Sequence, residues 1–194
     1  MVKYFSYKHV NCFFLANAKG EVLAFDAGWP CSLFEYKRHL KGTGHDFGRI
    51  KWCIVSHLHM DHAGLLGEFM ESGITCLMTE EQVDNIVGME KIILGNKEYR
   101  DYRHITLNPR LVMPVEGINA ELRKNGFGCR CLETKGHSSD SLSIVTDEGE
   151  ALIGDLSPID QVMPDDGETS ESWAKLIDSG AKSVYPSHAE YFTL

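Results

Sequence analysis

The chain has 194 residues, is 43% hydrophobic and 24% charged, and carries a formal net charge of -9; these values match folded globular proteins and exclude disordered or fibrous ones. The acidic balance, with no cluster of Lys and Arg, excludes a basic footprint for nucleic acid, and no apolar run approaches the length of a membrane span. The length predicts one domain over residues 1–194.

Near the N-terminus an apolar run soon meets charge and lacks a small-residue cleavage site, so it reads as a strand rather than a secretion signal. "HVNCFFLA" and "EVLAFDAG" are β-rich runs around the loop "NAKG", and the second delivers Asp26 to its end. Ser32 with Glu35 is a capping-box signature for a helix that ends near Gly42 or Gly44. "IKWCIVS" reads as a buried strand that runs out at His57. Leu65, Leu66, Phe69 and Met70 then recur at helical spacing, Gly73 supplies a stop, and "ITCLM" completes a βαβ unit. Thr79 with Gln82 repeats the capping signature ahead of "EEQVDNIVGMEKIIL". From Gly95 to Pro114 the pattern is irregular, rich in Tyr, Arg and Asn, and reads as a surface lid.

The second half repeats the logic. "GINAELRKNG" predicts a helix, "CRCLET" a strand ending before His137, and "SLSIVT" with "EALIGD" a hairpin around "DEGE" that ends at Asp155. An acidic loop leads to the helix "SESWAKLIDSG" and a last strand, "SVYPS", ending at His188. Both halves place strands before helices, which predicts two packed sheets with helices on their outer faces. Six cysteines (Cys12, Cys31, Cys53, Cys76, Cys129, Cys131) lie mostly inside apolar runs and read as small buried hydrophobes of a reducing, cytoplasmic protein.

Asp26, the group His57, His59, Asp61 and His62, then His137, Asp155 and His188 all fall just after predicted strands, so a sheet edge can gather them. Imidazole and carboxylate are the ligands that borderline divalent metals accept. His57 and His59, two apart in an extended segment, project to one side and can grip one ion; Asp61 and His62, where the chain turns into a helix, can face a second. Paired ions lie about 3.5–4 Å apart and share a bridging carboxylate, for which Asp155 is the candidate. His9, His39, His45 and His104 have no partner in this pattern and read as surface or capping residues.

The order and flanks of "FDAG", "HLHMDH", "TKGHSSDSLS", "IGD" and "YPSHAEYF" resemble the metallo-β-lactamase superfamily of metal-dependent hydrolases along the whole chain. That resemblance implies an α/β (α+β) class fold, a four-layer αββα sandwich. It implies two divalent ions, zinc foremost with iron or manganese as alternatives: His57, His59 and His137 at the first, Asp61, His62 and His188 at the second, and Asp155 between them. Asp26 is then expected behind the ligands, orienting the histidine loop. Paired cations acidify water and polarise the group it attacks, so hydrolysis is the expected reaction, with Asp61 as the catalytic carboxylate that orients the water and carries its proton.

Within the resemblance, true β-lactamases usually have a cysteine where this chain has Asp155, which turns the expectation toward an ester, thioester or lactone of a small molecule, in a glyoxalase II-like or lactonase-like branch. The sequence ends six residues after His188, without glyoxalase II's helical glutathione-binding domain. Substrate contacts are therefore expected from residues 79–114, with Tyr99, Tyr102 and Arg103 as polar candidates. Lys135-Gly136 stands where relatives usually have Pro-Gly, and Lys135 either points to solvent or offers a cation to an anionic substrate. The rival readings are a di-iron redox protein, whose relatives carry a Glu where this chain has His59, a phosphodiesterase of the same fold, and a metal-binding protein without catalysis. The expected partner is a small-molecule substrate, with no nucleic acid and no membrane; the oligomeric state is open.

Overall fold

Two five-stranded sheets, each built from a contiguous stretch of chain, face one another in the computed structural model, which describes residues 2–194. The first contains β1 (Lys3–Tyr7), β2 (Val10–Ala16), β3 (Val22–Phe25), β4 (Ile50–Ile54) and β5 (Thr75–Cys76), in that spatial order. Its first three strands are antiparallel, while β3, β4 and β5 run parallel. The second contains β6 (Cys129–Glu133), β7 (Leu142–Thr146), β8 (Glu150–Gly154), β9 (Ser183–Pro186) and β10 (Phe192–Thr193), in the order β10-β9-β8-β7-β6, with only β8 and β9 parallel. The helices are α1 (Leu33–Gly42), α2 (Met60–Ala63), α3 (Leu66–Glu71), α4 (Glu80–Leu94), α5 (Val115–Lys124) and α6 (Gly167–Asp178).

Strand alternation explains the layers. Phe13, Leu23, Phe25 and Ile54 point from the first sheet toward Leu142, Ile144 and Leu152 of the second. Their neighbours Cys12, Phe14, Ala24 and Cys53 point the other way, onto Tyr36, Leu40, Phe69 and Ile86 of α1, α3 and α4. On the far side Val145, Ala151 and Val184 lie beneath Trp173 and Leu176 of α6. Each fully buried Phe or Leu contributes on the order of 1.5–3 kcal/mol, so a strand with apolar residues on both faces is held only where both are covered. The αββα sandwich is therefore present. Among the described residues no helix is long and apolar enough to cross a membrane.

Several local expectations are corrected. β1 is a separate strand, joined to β2 by a two-residue turn in which Lys8 and His9 both adopt positive φ, +47° and +66°. The Ser32 capping box does not form: Ser32 Oγ donates instead to the Trp29 carbonyl, at 2.5 Å, and pairs with Tyr7. The helix after the histidine group breaks into the single turn α2 and the short α3. "ITCLM" yields only the two residues of β5. α6 starts before "SESWAK" because the Asp166 side chain accepts the Thr169 amide. By contrast α4 has the predicted bounds, and Thr79 and Gln82 close the reciprocal cap.

Candidate metal centre

One buried carboxylate ties three strand ends together. Asp26 follows β3 in a left-handed conformation, φ +72°, and is fully shielded from solvent. A non-glycine residue there costs about 1–2 kcal/mol, and its carboxylate offsets that by accepting four hydrogen bonds. Two come from Ser56 after β4, from its amide at 2.6 Å and its hydroxyl at 3.1 Å. Ser187 after β9 donates at 3.2 Å, and His62 Nδ1 lies at 2.9 Å. Nδ1–H of His62 therefore donates to Asp26, and its Nε2 is turned toward the sheet edge.

The other strand ends are held as closely. Gly154, at the end of β8, has φ +58°, and a Cβ there would sit 2.5 Å from Ser56 Cβ. Only glycine brings this strand close enough to set the following Asp155 beside His57. Asp140 accepts the Leu58 amide at 2.8 Å, fixing the link between His57 and His59, while Gln82 Nε2 donates to the Val55 carbonyl at 2.9 Å. His188 is set by the β1–β2 turn, its Nδ1 lying 2.5 Å from the His9 carbonyl.

The result is a convergence of seven side chains drawn from both halves of the chain. His57, His59, His137 and Asp155 present donor atoms within 4.8 Å of one another, and Asp61, His62 and His188 do the same. His57 Nε2 and His137 Nε2 lie 2.9 Å and 3.2 Å from His59 Nδ1. Asp155 Oδ2 lies 3.8 Å, 3.6 Å and 3.3 Å from Nε2 of His57, His137 and His62, and its Oδ1 lies 3.3 Å from His188 Nε2. Asp61 Oδ2 is 3.4 Å from His62 Nε2 and 3.2 Å from His188 Nε2. One carboxylate thus reaches both groups. His62 Nε2 and Asp155 Oδ1 are buried and, beyond these ion-pair contacts of 3.3–3.4 Å, make no hydrogen bond among the described residues, a condition that native structures avoid unless something else satisfies the group.

Electrostatics sharpen the picture. Burial, helped by neighbouring His62, pushes His57 down to about 2, and burial also lowers His137, so both imidazoles stay neutral and offer lone pairs. For His62 burial opposes the charge, yet Asp26 and the nearby Asp155 and Asp61 outweigh it and raise its pKa. His188 is raised to about 10 by Asp155 and Asp61. Burial also works against ionised Asp61 and Asp155, but contacts with His188 and His62 prevail and hold both well below the usual carboxylate range. Neutral His57 and His137 thus stand beside a charged group in which His62 and His188 face the carboxylates of Asp61 and Asp155.

Other expected residues fall elsewhere. Tyr102 is buried, and its hydroxyl donates to Glu90 at 3.2 Å. Glu90 also takes the Ile105 amide and His104 Nδ1, both at 2.9 Å. Arg103 is exposed and its carbonyl lies over Gly67, so close that a Cβ at position 67 would collide with it. This segment is strapped onto α3 and α4. From residues 79–114 α4 borders the centre, where Asn85, Met89 and Ile92 line a cavity of about 230 Å3 with His59, Ser138 and Ser139, and half-buried Tyr99 lies near enough to Asp61 to feel its charge. The Lys135 carbonyl accepts from Ser172 at 2.6 Å, and Gly136 sits so close to Thr169 that a Cβ would overlap its hydroxyl. Sequence reasoning missed Ser56, Ser187 and Asp140; the first two directly precede His57 and His188, which is a usable signal.

A family model described as the metallo-beta-lactamase superfamily matches residues 7–188. The chain belongs to the metallo-beta-lactamase superfamily. Among members, the fold-containing protein ST1585 of Sulfurisphaera tokodaii is 26% identical over 117 residues, covering 52% of this chain; the match spans 42% of that relative's length. The crystal structure of the metallo-beta-lactamase family protein TTHA1429 from Thermus thermophilus superposes with a TM-score of 0.68 at 22% identity, covering all of this chain and 74% of its own. TTHA1623, solved in a di-iron-bound form, gives a TM-score of 0.70 at 19% identity and covers 100% of this chain and 94% of its own. These likenesses establish the superfamily fold, whose layers match those described above.

Proposed function

We propose that this superfamily member is a metal-dependent hydrolase that holds two divalent ions, zinc foremost, and cleaves an ester, thioester or lactone of a small molecule in the cytoplasm. The observation that carries the reading is Asp155, whose two oxygens reach histidines of both donor groups. The residues fit the ions: the donors are imidazole and carboxylate, which suit zinc or iron, and the buried Nε2 of His62 and Oδ1 of Asp155 are left for a ligand to satisfy.

When bound, such ions lower the pKa of water toward neutrality and polarise the carbonyl that it attacks. His57, His59 and His137 would hold one ion, Asp61, His62 and His188 the other, with Asp155 shared. Asp26 holds one His62 proton on Nδ1, so an ion bound at Nε2 would displace only the second proton, which Asp155 and Asp61 otherwise favour. Asp61 has a partly exposed carboxylate beside His62 and His188, where it can orient the attacking water and accept its proton. The carboxylate at position 155 supports the glyoxalase II-like or lactonase-like branch, and the mostly buried cysteines suit a reducing compartment.

Elemental analysis of the purified protein, with a panel of small esters, thioesters and lactones, tests this reading. Two equivalents of zinc and activity lost to a chelator and restored by metal are expected. A metal-loaded protein inert toward the whole panel, or one that carries iron with bound flavin, overturns it.

A further inference from the structure

The side of the centre formed by His137, Asp155 and His188 opens into a cavity of about 300 Å3, walled also by Leu156, Pro158, Pro186 and Ala189. Pro158, Pro186 and Ala189 are shared with a second cavity of about 640 Å3, a volume typical of small-molecule pockets. The two are therefore one trough. Its outer part is walled by Ile159, Ile177, Phe192 and Leu194, and among the described lining side chains Asp160 alone is ionisable. Ile159, Ile177 and Leu194 are 41%, 48% and 48% exposed, an apolar strip that begins at the ligand residues. The opposite flank, at His59, mixes Asn85, Ser138 and Ser139 with Met60, Met89 and Ile92.

We infer that this trough binds a linear, uncharged acyl chain whose carbonyl end lies at the metal centre, making the substrate an acyl ester, thioester or lactone with an aliphatic tail. The inference rests on the hydrolase reading for its reaction and on the trough alone for its tail. Continuity through the three shared residues ties the apolar wall to the reacting end. Among the described lining side chains none is cationic and Asp160 is acidic, which disfavours an anionic tail. The leaving group then falls on the opposite flank, where Asn85, Ser138 and Ser139 offer polar contacts.

The test is calorimetric binding of acetate, butanoate, hexanoate and octanoate to the zinc-loaded protein, with acetyl, hexanoyl and octanoyl esters of one alcohol assayed in parallel. Affinity is expected to rise about 2- to 4-fold for each added methylene, the range between a half-covered and a fully covered CH2. Ile177→Glu and Ile159→Asp, both at exposed positions that the fold does not need, should flatten this series about 10-fold at octanoate while acetate affinity and zinc content stay unchanged. Phe34→Asp, 80% exposed on α1, should leave the series intact. A Kd that does not change with chain length, or a series flattened equally by Phe34→Asp or instead by Ile92→Asp, overturns the inference. Chain-length-dependent binding with no ester cleaved would refute the hydrolase reading and keep the trough; equal kcat/KM for acetyl and octanoyl esters would do the reverse.

Discussion

Asp26 Oδ2 stands 2.9 Å from His62 Nδ1, and neither side chain reaches solvent. The same carboxylate holds the ends of β4 and β9 through Ser56 and Ser187, so it is both a structural knot and the group that aims a ligand. Asp26→Ala should cost about 3–5 kcal/mol, the range for breaking a buried charged pair, and weaken zinc binding about 10- to 100-fold. Ser187→Ala removes one 3.2 Å bond and should cost only about 0.5–1.5 kcal/mol. Urea unfolding and competitive metal titration measure both; equal effects from the two variants would refute the ranking.

Asp140 acts on the other donor group. Its Oδ2 is the acceptor for the Leu58 amide, in a position 4% exposed, so Asp140→Ala leaves a buried N–H unpaired at a cost of about 1–3 kcal/mol. Because Leu58 links His57 to His59, the first equivalent of metal should bind more weakly in this variant. Unchanged stoichiometry and affinity in a metal titration would show that the amide positions nothing.

Glu68 gives the protein a pH dependence away from the centre. Burial raises its pKa to about 7, and its Oε2 has no hydrogen-bond partner among the described residues. The folded state thus holds a proton that the unfolded chain releases above its ordinary value of 4.5. Stability from this group is complete below that lower value and is lost as pH rises to about 7. With partial exposure discounted, the loss is on the order of 1–2 kcal/mol. Glu68→Gln should remove that slope and be the more stable form at pH 8, by about 2–6 °C in Tm. Parallel melting curves at pH 5 and pH 8 for wild type and variant decide it.

Glu90 straps residues 102–105 to α4 with three hydrogen bonds. Glu90→Ala should release this segment, seen as faster tryptic cleavage at Arg100 and Arg103, while zinc content stays the same. A variant cut no faster than wild type would mean that packing over Gly67 holds the strap by itself.

What the sequence disclosed follows from how locally each feature is encoded. α4 is legible because Thr79 and Gln82 cap it by contacts three residues apart. The seven donor residues are legible because they lie at or shortly after the ends of predicted strands, and the structure gathers all of them. The β1–β2 turn is not, because Lys8 and His9 take positive φ without the Asn or Gly that usually signals it. Ser56 and Ser187 read only as the last residues of their strands and Asp140 as a loop residue; their partners lie 30, 161 and 82 positions away, and the pairing itself is set by the packed sheets. The segment after α4 lacks a period because its order comes from Glu90 and Gly67 rather than from its own pattern.

The contiguity of each sheet has a consequence for biosynthesis. Residues 3–76 can complete their strand pairing while the remainder is still on the ribosome, and residues 129–193 can follow as a second local unit. A nascent first half therefore shows only His57, His59, Asp61 and His62, an incomplete cage. The full set exists only once His188 has emerged and been drawn to the His9 carbonyl, so an ion that needs all seven donors would bind only the joined halves and stabilise them by mass action.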